Sequence, residues 1–133
     1  WLRENSNKNV YYIDGNTKVD NRDFFKRKME EEDDTVLVAS TGTFSEGIDL
    51  PNIHNLFITE SHKSEIIIRQ MLGRPMRLKE EKDKVVVVDF SDNFYWNGPN
   101  TFQKKNYLMR HAAEREKVYK EKKFPFKKFK VKL

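Results

Sequence analysis

The chain has 133 residues, 37% of them hydrophobic and 13% aromatic, which is the size of one domain with enough apolar material for a packed core. The absence of cysteine excludes disulfides and thiolate metal sites, and three scattered histidines favour no metal site. The longest apolar runs, residues 66–68 and 85–88, are far shorter than the roughly 20 residues that span a bilayer, and no charged-then-apolar leader opens the chain. We therefore expect a soluble, intracellular protein.

The net charge of +5 is distributed unevenly along the chain. Residues 100–133 carry 12 Lys and Arg against 3 Asp and Glu, a net charge of +9, whereas residues 1–99 carry 14 against 18. Concentrated positive charge attracts a phosphate backbone regardless of base sequence, which makes Lys127, Lys128 and Lys130 candidate nucleic-acid contacts. The alternative is a solvated surface that only keeps the protein in solution.

The first predicted elements are a strand and an amphipathic helix. The strand, at residues 9–13, is β-branched and aromatic and stops at a D-G turn, and the helix is expected to begin with Asp20 as its N-cap and to run to about Glu32. The next elements are strands at residues 35–39, 55–59 and 84–90, and a helix at residues 64–72. Because these strands are unbroken apolar runs alternating with helices, they predict an α/β fold with a mostly parallel sheet covered by helices on both faces.

Beyond residue 91 the pattern changes to a turn-rich connector and one long polar helix at residues 101–122. The apolar residues of this helix recur at three-and-four spacing, with Arg115 contributing its aliphatic stem, so the helix is expected to pack on the sheet. Residues 124–133 alternate apolar side chains with lysines after Pro125, which predicts a short basic edge strand.

Residues 70–77, Q-M-L-G-R-P-M-R, place two arginines three positions apart after the second predicted helix. Arginine stays protonated near neutral pH and offers a planar fork of donors, so Arg74 and Arg77 can meet the charge that builds on a transferring phosphoryl group. Pro75 lies between them, where a helix would lose a hydrogen bond, so Arg77 is expected on a turn after the helix. No G-x-x-x-x-G-K-[ST] phosphate cradle occurs in the chain, so half of an ATPase site is missing.

Residues 39–51, A-S-T-G-T-F-S-E-G-I-D-L-P, directly follow the second predicted strand. Ligands of open α/β sheets bind beyond the carboxyl ends of strands, and here that position holds Ser40, Thr41 and Gly42. Such a loop can turn backbone N–H groups and hydroxyls toward a phosphate, although a simple turn is the alternative. Asp49 is either a turn acceptor or a functional carboxylate.

Together these segments resemble the sequence motifs of superfamily 2 helicases. Residues 41–49 are similar to motif V, a threonine, five residues and then Gly-x-Asp, and residues 70–77 match the Q-x-x-G-R-x-x-R of motif VI. The turn I-D-G-N at residues 13–16, followed by Arg22, is similar to the segment that precedes motif V. The resemblance implies a RecA-like, P-loop NTPase-like fold.

The resemblance covers residues 9–90 and implies the second RecA-like domain of a helicase without its first strand. The remaining tail resembles the C-terminus of phage UvsW-type helicases, which remodel branched DNA. We therefore divide the chain into a RecA-like domain at residues 1–92 and a basic C-terminal extension at residues 93–133 that packs on it. Because the chain begins at Trp1 without that first strand, we expect it to be a fragment.

The resemblance also implies roles on the nucleotide side. Arg74 and Arg77 correspond to arginine fingers that reach the γ-phosphate of ATP, which with Mg²⁺ is held mainly by the N-terminal RecA-like domain of the same polypeptide. Asp49 would connect the nucleotide to the nucleic acid through hydrogen bonds, and Gly47 permits a tight bend. The positions implied to bind ATP or to couple it to the cleft are Gln70, Gly73, Gly47 and Asp49.

On the nucleic-acid side, the implied contacts are Gly15, Ser40, Thr41 and Gly42. The expected partner is DNA, with branched junctions and RNA hybrids included, in the cytoplasm of a bacterium or of a phage-infected host. The function implied is that of the C-terminal motor domain of an ATP-dependent DNA helicase or translocase, inactive as an isolated chain. Two alternatives stay open: a non-catalytic nucleic-acid-binding module that uses the basic tail, and the motor part of a restriction or repair enzyme.

Overall fold

The computed structural model describes residues 1–47, 50, 52–76, 84–92 and 106–131. The chain divides into two compact units, one formed by Trp1–Phe57 with Gln70–Val88 and the other by Ile58–Arg69 with Asp89–Leu133. In chain order the elements are α1 (Leu2–Asn5), β1 (Asn9–Ile13), α2 (Val19–Glu31), β2 (Thr35–Ala39), α3 (Thr41–Gly47), β3 (Asn55–Ile58), α4 (Glu65–Gly73), β4 (Val86–Asp89) and α5 (Tyr107–Glu121). The domain boundary after residue 92 stays a prediction.

Strands β1 and β2 pair in parallel, with Asn9 opposite Thr35 and Ile13 opposite Ala39. This confirms both predicted strands. On α2, Phe25 lies with its ring 5.3 Å from the ring of Tyr11, so the apolar side of this helix covers the strand pair. Because the strands are parallel, the segments that follow β1 and β2 leave the sheet at the same edge.

Strands β3 and β4 form the second pair. The backbone N–H of Val86 donates to the carbonyl of His54 at 2.9 Å, and that of Phe90 donates to the carbonyl of Ile58 at 3.0 Å. Both bonds join residues 32 positions apart, and a constant offset is the pattern of parallel strands. The α/β class with parallel pairing is therefore confirmed, in two two-stranded sheets among the described residues.

Two helix boundaries differ from the predictions. Helix α2 begins at Val19 after Lys18, without a side-chain cap, so the N-cap assignment of Asp20 was wrong. Asp20 lies instead in the first turn, where its carboxylate still faces the positive end of the helix dipole. Helix α5 begins at Tyr107 because the side chain of Asn106 accepts the N–H of Met109 at 2.8 Å, and the predicted start at residue 101 lies outside the described residues.

A buried ion pair joins α5 to the end of β4. The guanidinium of Arg115, only 1% exposed, donates to both oxygens of Asp89 at 2.8 Å and to the carbonyls of His62 and Phe90 at 3.1 and 3.2 Å. The hydroxyl of Tyr119 donates to the same carboxylate at 2.8 Å. The sequence predicted that Arg115 packs through its stem, whereas the structure buries the charged end itself.

Helix α5 ends in a Schellman motif. The N–H of Lys123 donates to the carbonyl of Lys120 and the N–H of Phe124 to the carbonyl of Tyr119, both at 3.0 Å. Lys123 adopts a left-handed φ of 56°, which reverses the chain. The residues that follow return along α5, with the ring of Phe126 at 6.1 Å from that of Tyr119.

The edge strand predicted at residues 124–133 is wrong for residues 124–131, which contain no strand. The alternation predicts that Phe129 and Val131 lie on a covered side with the lysines facing outward, but both apolar side chains are exposed. Here the contacts of Phe126 with Tyr119 and of Lys128 with Glu116 are made to α5. Residues 132 and 133 lie outside the described residues.

Replacing Lys123 by glycine is expected to raise the free energy of unfolding by about 1 kcal/mol, because glycine adopts a left-handed φ without the steric cost that a Cβ imposes. The measurement is chemical denaturation followed by circular dichroism. Lys122→Gly is the matched control: at φ −80° Lys122 is right-handed, so glycine there should destabilise by roughly 0.5–1 kcal/mol. Equal destabilisation by both glycines would contradict the strain at position 123.

Within the described ranges no helix is both long enough and apolar enough to cross a membrane.

Candidate nucleotide and nucleic-acid site

The turn after β1 is held by its own side chains. The carboxylate of Asp14 accepts the N–H of Asn16 and the hydroxyl of Thr17, both at 3.0 Å. Arg22 on α2 donates to the carbonyls of Asp14, Gly15 and Thr17 at 3.3, 3.2 and 2.9 Å. The guanidinium of Arg22 therefore fixes the backbone of the turn to α2.

Gly15 itself is exposed, and a Cβ built on it would contact no described atom within 4 Å. Its φ is not positive, so the fold does not require glycine at this position. The same holds for Gly42, which is also exposed and has open space around a built Cβ. At both positions the absence of a side chain leaves room for another molecule to approach the backbone closely.

The segment after β2 is a helix and not the loop that the sequence predicted. Ser40 precedes α3, and its carbonyl accepts the N–H of Phe44 at 2.9 Å. The hydroxyl of Ser40 accepts the N–H of Thr43 at 3.4 Å and donates to Thr43 Oγ1 at 2.8 Å. The buried side chains of Thr43 and Phe44 hold the helix in the unit, which overrides the weak helix propensity of T-G-T. The N–H groups of Thr43 and Phe44 are thus bonded within the helix rather than turned outward.

The two strand ends bring the predicted nucleic-acid contacts of this unit to one place. Ile13 and Ala39 are partners in the parallel register, and the N–H of Ser40 donates to the carbonyl of Ile13 at 3.2 Å. The Gly15 turn and the start of α3, with Ser40 exposed and Thr41 half-buried, therefore follow adjacent strand ends. This is the edge at which ligands of open α/β sheets bind.

Helix α4 carries the start of the Q-x-x-G-R segment. Met71 and Leu72 are buried, whereas Gln70 is exposed. The helix ends at Gly73, Arg74 lies in the following turn, and Pro75 is buried. The end of α4 at Gly73 confirms that the helix ends before Pro75. Proline has this effect because it lacks a backbone N–H and restricts the conformation of the residue before it.

Arg74 is connected to α3 by a side-chain hydrogen bond. Its Nη2 donates to the backbone carbonyl of Ser45 at 2.6 Å, and Ser45 is itself buried with its hydroxyl donating to the carbonyl of Gly42 at 3.1 Å. A guanidinium is a planar fork of five donors, so this bond orients the whole group. The structure thus joins the two motifs, 29 residues apart, through one contact that no sequence pattern indicated.

The other site residues are placed less completely. Gly47 is the last residue of α3 and Gly73 the last of α4, whereas Asp49 and Arg77 lie outside the described residues. The turn position of Arg77 and its proposed bond with Asp49 therefore stay predictions. Three lysines of the other unit, Lys127, Lys128 and Lys130, lie in the exposed terminal segment.

The described side chains suit a phosphate better than a metal ion. Arg74 offers a permanently charged guanidinium and Gln70 an exposed amide one helical turn earlier, both of which can bind phosphate oxygens. Among the described residues no group of three or more His, Asp or Glu could hold a metal ion. The residues therefore fit part of a nucleotide site, and they offer no cluster of carboxylates for Mg²⁺ in the described part of the chain.

Sequence reasoning missed the pairing of Asp89 with Arg115. The available signal was a carboxylate at the end of an apolar strand and an arginine on the apolar side of a helix, since charges at such positions are rarely buried unless paired. The phenol of Tyr119 reinforces the pair, because burial and the neighbouring carboxylate raise its pKa and keep it a hydrogen-bond donor.

Comparison with known proteins places these features in a family. Residues 1–79 match the model of the helicase conserved C-terminal domain. The chain is 32% identical over 130 residues to the ATP-dependent DNA helicase uvsW of Enterobacteria phage T4, an alignment that covers 94% of this chain and 26% of that protein. It is 35% identical over 82 residues to the putative ATP-dependent helicase IRC3 of Saccharomyces cerevisiae, covering 62% of this chain and 12% of that protein. The chain thus spans about a quarter or less of these relatives.

Solved structures agree with the sequence comparison. The crystal structure of T4 UvsW superposes with a TM-score of 0.63 at 30% identity, over 90% of this chain and 25% of that one. The C-terminal part of the Fun30 ATPase domain gives a TM-score of 0.61 at 18% identity, over 92% of this chain and 42% of that one, which shows a shared fold alone. With a family model matching more than half of its residues, this chain belongs to the helicase conserved C-terminal domain family.

Proposed function

We propose that this chain is the C-terminal motor domain of an ATP-dependent superfamily 2 DNA helicase or translocase that unwinds or remodels branched DNA, RNA hybrids included. The observation that carries the proposal is the 2.6 Å hydrogen bond from Arg74 to the carbonyl of Ser45, because it connects the arginine suited to phosphate with α3, the helix that follows Ser40 and begins at Thr41. The setting we propose is the cytoplasm of a bacterium or of a phage-infected host.

On the nucleotide side, hydrolysis of ATP supplies the free energy for movement. Arg74, with Arg77, neutralises the negative charge that builds on the γ-phosphoryl group, and Gln70 binds or senses the nucleotide from the exposed side of α4. The N-terminal RecA-like domain of the same polypeptide provides the phosphate cradle and the Mg²⁺ site, since the 133 residues contain no Walker-type lysine segment.

On the nucleic-acid side, Ser40, Thr41 and the open backbone at Gly15 and Gly42 contact the phosphate backbone. Any displacement of Arg74 acts on Ser45 and hence on α3, whose first turn carries Thr41 and Gly42. The glycines that end α3 and α4, Gly47 and Gly73, are at the two element ends where such a change can be absorbed. Asp49 extends the same connection between nucleotide and DNA.

The test is ATP hydrolysis by this chain alone and by the full-length polypeptide that carries it. We expect no turnover above background from residues 1–133, with or without DNA, and DNA-stimulated turnover from the full-length protein. A protein refolded from the two separately purified parts controls for inactivity caused by misfolding. Turnover by the pure chain would contradict the proposal that the cradle is supplied from elsewhere.

The basic tail favours a second candidate, a nucleic-acid-binding module that does no ATP hydrolysis. In that case charge reversal at Lys127, Lys128 and Lys130 would matter and the arginines of residues 70–77 would not. A full-length protein that binds DNA but never hydrolyses ATP would favour this candidate. A nuclease sequence elsewhere in the polypeptide would instead favour the motor part of a restriction or repair enzyme.

A further inference from the structure

Residues 124–131, here called the terminal segment, are held on one side by α5. The Schellman motif at Lys123 turns the chain back, Phe126 contacts the ring of Tyr119, and Lys128 forms an ion pair with Glu116. Hydrogen bonds from Lys120 and Lys128 lower the pKa of Glu116 to about 2, so this anchor stays charged across the physiological range. The segment therefore has a fixed side and a solvent side.

The solvent side combines unpaired lysines with an exposed aromatic ring. Lys127 and Lys130 are exposed, and neither has a carboxylate partner among the described residues. Between them Phe129 is 82% exposed, and Val131 beyond it is 78% exposed. No acidic residue occurs after Glu121, so nothing in the segment offsets its charge.

This combination matches the chemistry of unpaired nucleic acid. Aromatic side chains that stack on bases, flanked by cations that follow the phosphates, bind single strands with little sequence preference. In a duplex the faces of the bases are already stacked on each other, so an exposed phenylalanine gains nothing there without unstacking them. An anionic membrane would attract the same lysines, but the segment is not a helix and Phe126 is turned to Tyr119, which leaves too little apolar surface for stable insertion.

We infer that the terminal segment is a binding site for single-stranded nucleic acid, in which Phe129 stacks on an unpaired base while Lys127 and Lys130 contact the flanking phosphates. Lys128 is a positioning residue that holds the segment on α5 through Glu116. The inference rests on the proposed function only in taking DNA as the polymer, and it adds a preference for unpaired strands that residues 1–92 alone do not require.

The experiment measures binding of a fluorescent oligothymidylate of about 16 nucleotides, and of a duplex of the same length, to the full-length protein by anisotropy. Phe129→Ala is expected to weaken binding of the single strand roughly 5- to 100-fold and to leave the duplex nearly unchanged. Val131→Ala is the matched control, since it removes an equally exposed apolar side chain of the same segment that cannot stack, and Phe129→Trp should retain the affinity.

The lysines are tested by the salt dependence of the same affinity. The double variant Lys127→Gln with Lys130→Gln should make the slope of log K against log salt less steep by about 1.4, because each phosphate contact on a single strand contributes about 0.7. Lys117→Gln is the control, because Lys117 already pairs with Glu114 on α5 and should leave the slope unchanged.

Three results would overturn the inference: equal binding by the Phe129→Ala and Val131→Ala variants, an equal loss for the duplex, or an effect of Phe129→Ala confined to phosphatidylserine vesicles. The readouts separate this inference from the proposed function. DNA-stimulated ATP hydrolysis together with unchanged oligonucleotide binding by Phe129→Ala would refute only the inference. Weaker binding of the single strand by Phe129→Ala, in a full-length protein that shows no DNA-stimulated ATP hydrolysis, would refute only the proposed motor.

Discussion

Replacing Arg115 by alanine is expected to lower the free energy of unfolding by about 3–5 kcal/mol, because it leaves a buried carboxylate without its charge partner. The carboxylate of Asp89 is only 18% exposed and receives two of its hydrogen bonds from this guanidinium. Without Arg115 that charge stays buried with Tyr119 as its one remaining described donor, and the carbonyls of His62 and Phe90 lose a donor as well. Urea denaturation followed by circular dichroism measures the loss.

Arg110→Ala is the matched control, because Arg110 is exposed on the same helix and its guanidinium only approaches the ring of Tyr107, at 5.9 Å. A change of less than about 0.5 kcal/mol is expected there. Combining Arg115→Met with Asp89→Leu should recover part of the lost stability, because an apolar pair of similar volume leaves no charge unpaired. The recovery is partial because the carbonyls of His62 and Phe90 still lose a donor and the hydroxyl of Tyr119 loses its acceptor. If Arg115→Ala unfolds at the same urea concentration as Arg110→Ala, the buried pair does not hold α5 in place.

The strands and the order of the motifs could be predicted because both are local properties of the sequence. The apolar runs at β1 and β2 identify strands without knowledge of their partners, and the Q-x-x-G-R-x-x-R spacing identifies the arginines without knowledge of their contacts. Pro75 likewise carried enough information to predict where α4 ends.

The failures concern contacts between residues far apart in the chain. Helix α3 was predicted as a loop because Ser, Thr and Gly after a strand indicate a turn, but the burial of Phe44 in the folded unit decides the outcome. Arg115 and Asp89 are 26 residues apart, and no periodicity reports which charge meets which. The terminal segment was predicted as a strand because Phe129 and Val131 alternate with lysines, but both apolar side chains are exposed, and Phe126 and Lys128 make the contacts to α5.

The candidate site also combines features that are local in the sequence with contacts between distant residues. Its chemistry is local, since a glycine turn, a Ser-Thr pair and an arginine can each be identified in the sequence. The coupling that we propose is not local, because it would depend on the parallel register that brings Ile13 beside Ala39 and on the bond from Arg74 to Ser45. Substitutions that break the register should therefore impair function even where they leave every motif residue in place.

Replacing Arg74 by alanine in the full-length protein is expected to reduce kcat for DNA-stimulated ATP hydrolysis by about 10³ to 10⁵, the range over which an arginine finger acts in phosphoryl transfer. Affinity for DNA should change less than twofold, because the predicted backbone contacts Ser40, Thr41 and Gly15 are not altered. The measurements are steady-state ATP hydrolysis at saturating DNA and equilibrium DNA binding without nucleotide. Arg74→Lys should recover little of the activity, since an ammonium keeps the charge but not the planar fork that bonds Ser45.

Arg69→Ala is the control, because Arg69 lies on α4 but outside the two motif segments, residues 41–49 and 70–77. Its guanidinium forms exposed ion pairs with Glu65 and Glu121. Such solvent-exposed pairs contribute little to stability, so hydrolysis should stay near the wild-type rate. Loss of the Arg74 bond to Ser45 also costs about 1 kcal/mol, and comparing the melting temperatures of the two alanine variants separates this structural loss from the catalytic one. If Arg74→Ala keeps DNA-stimulated hydrolysis at a similar melting temperature, Arg74 does not act on the phosphate, and its contact with Ser45 serves the fold alone.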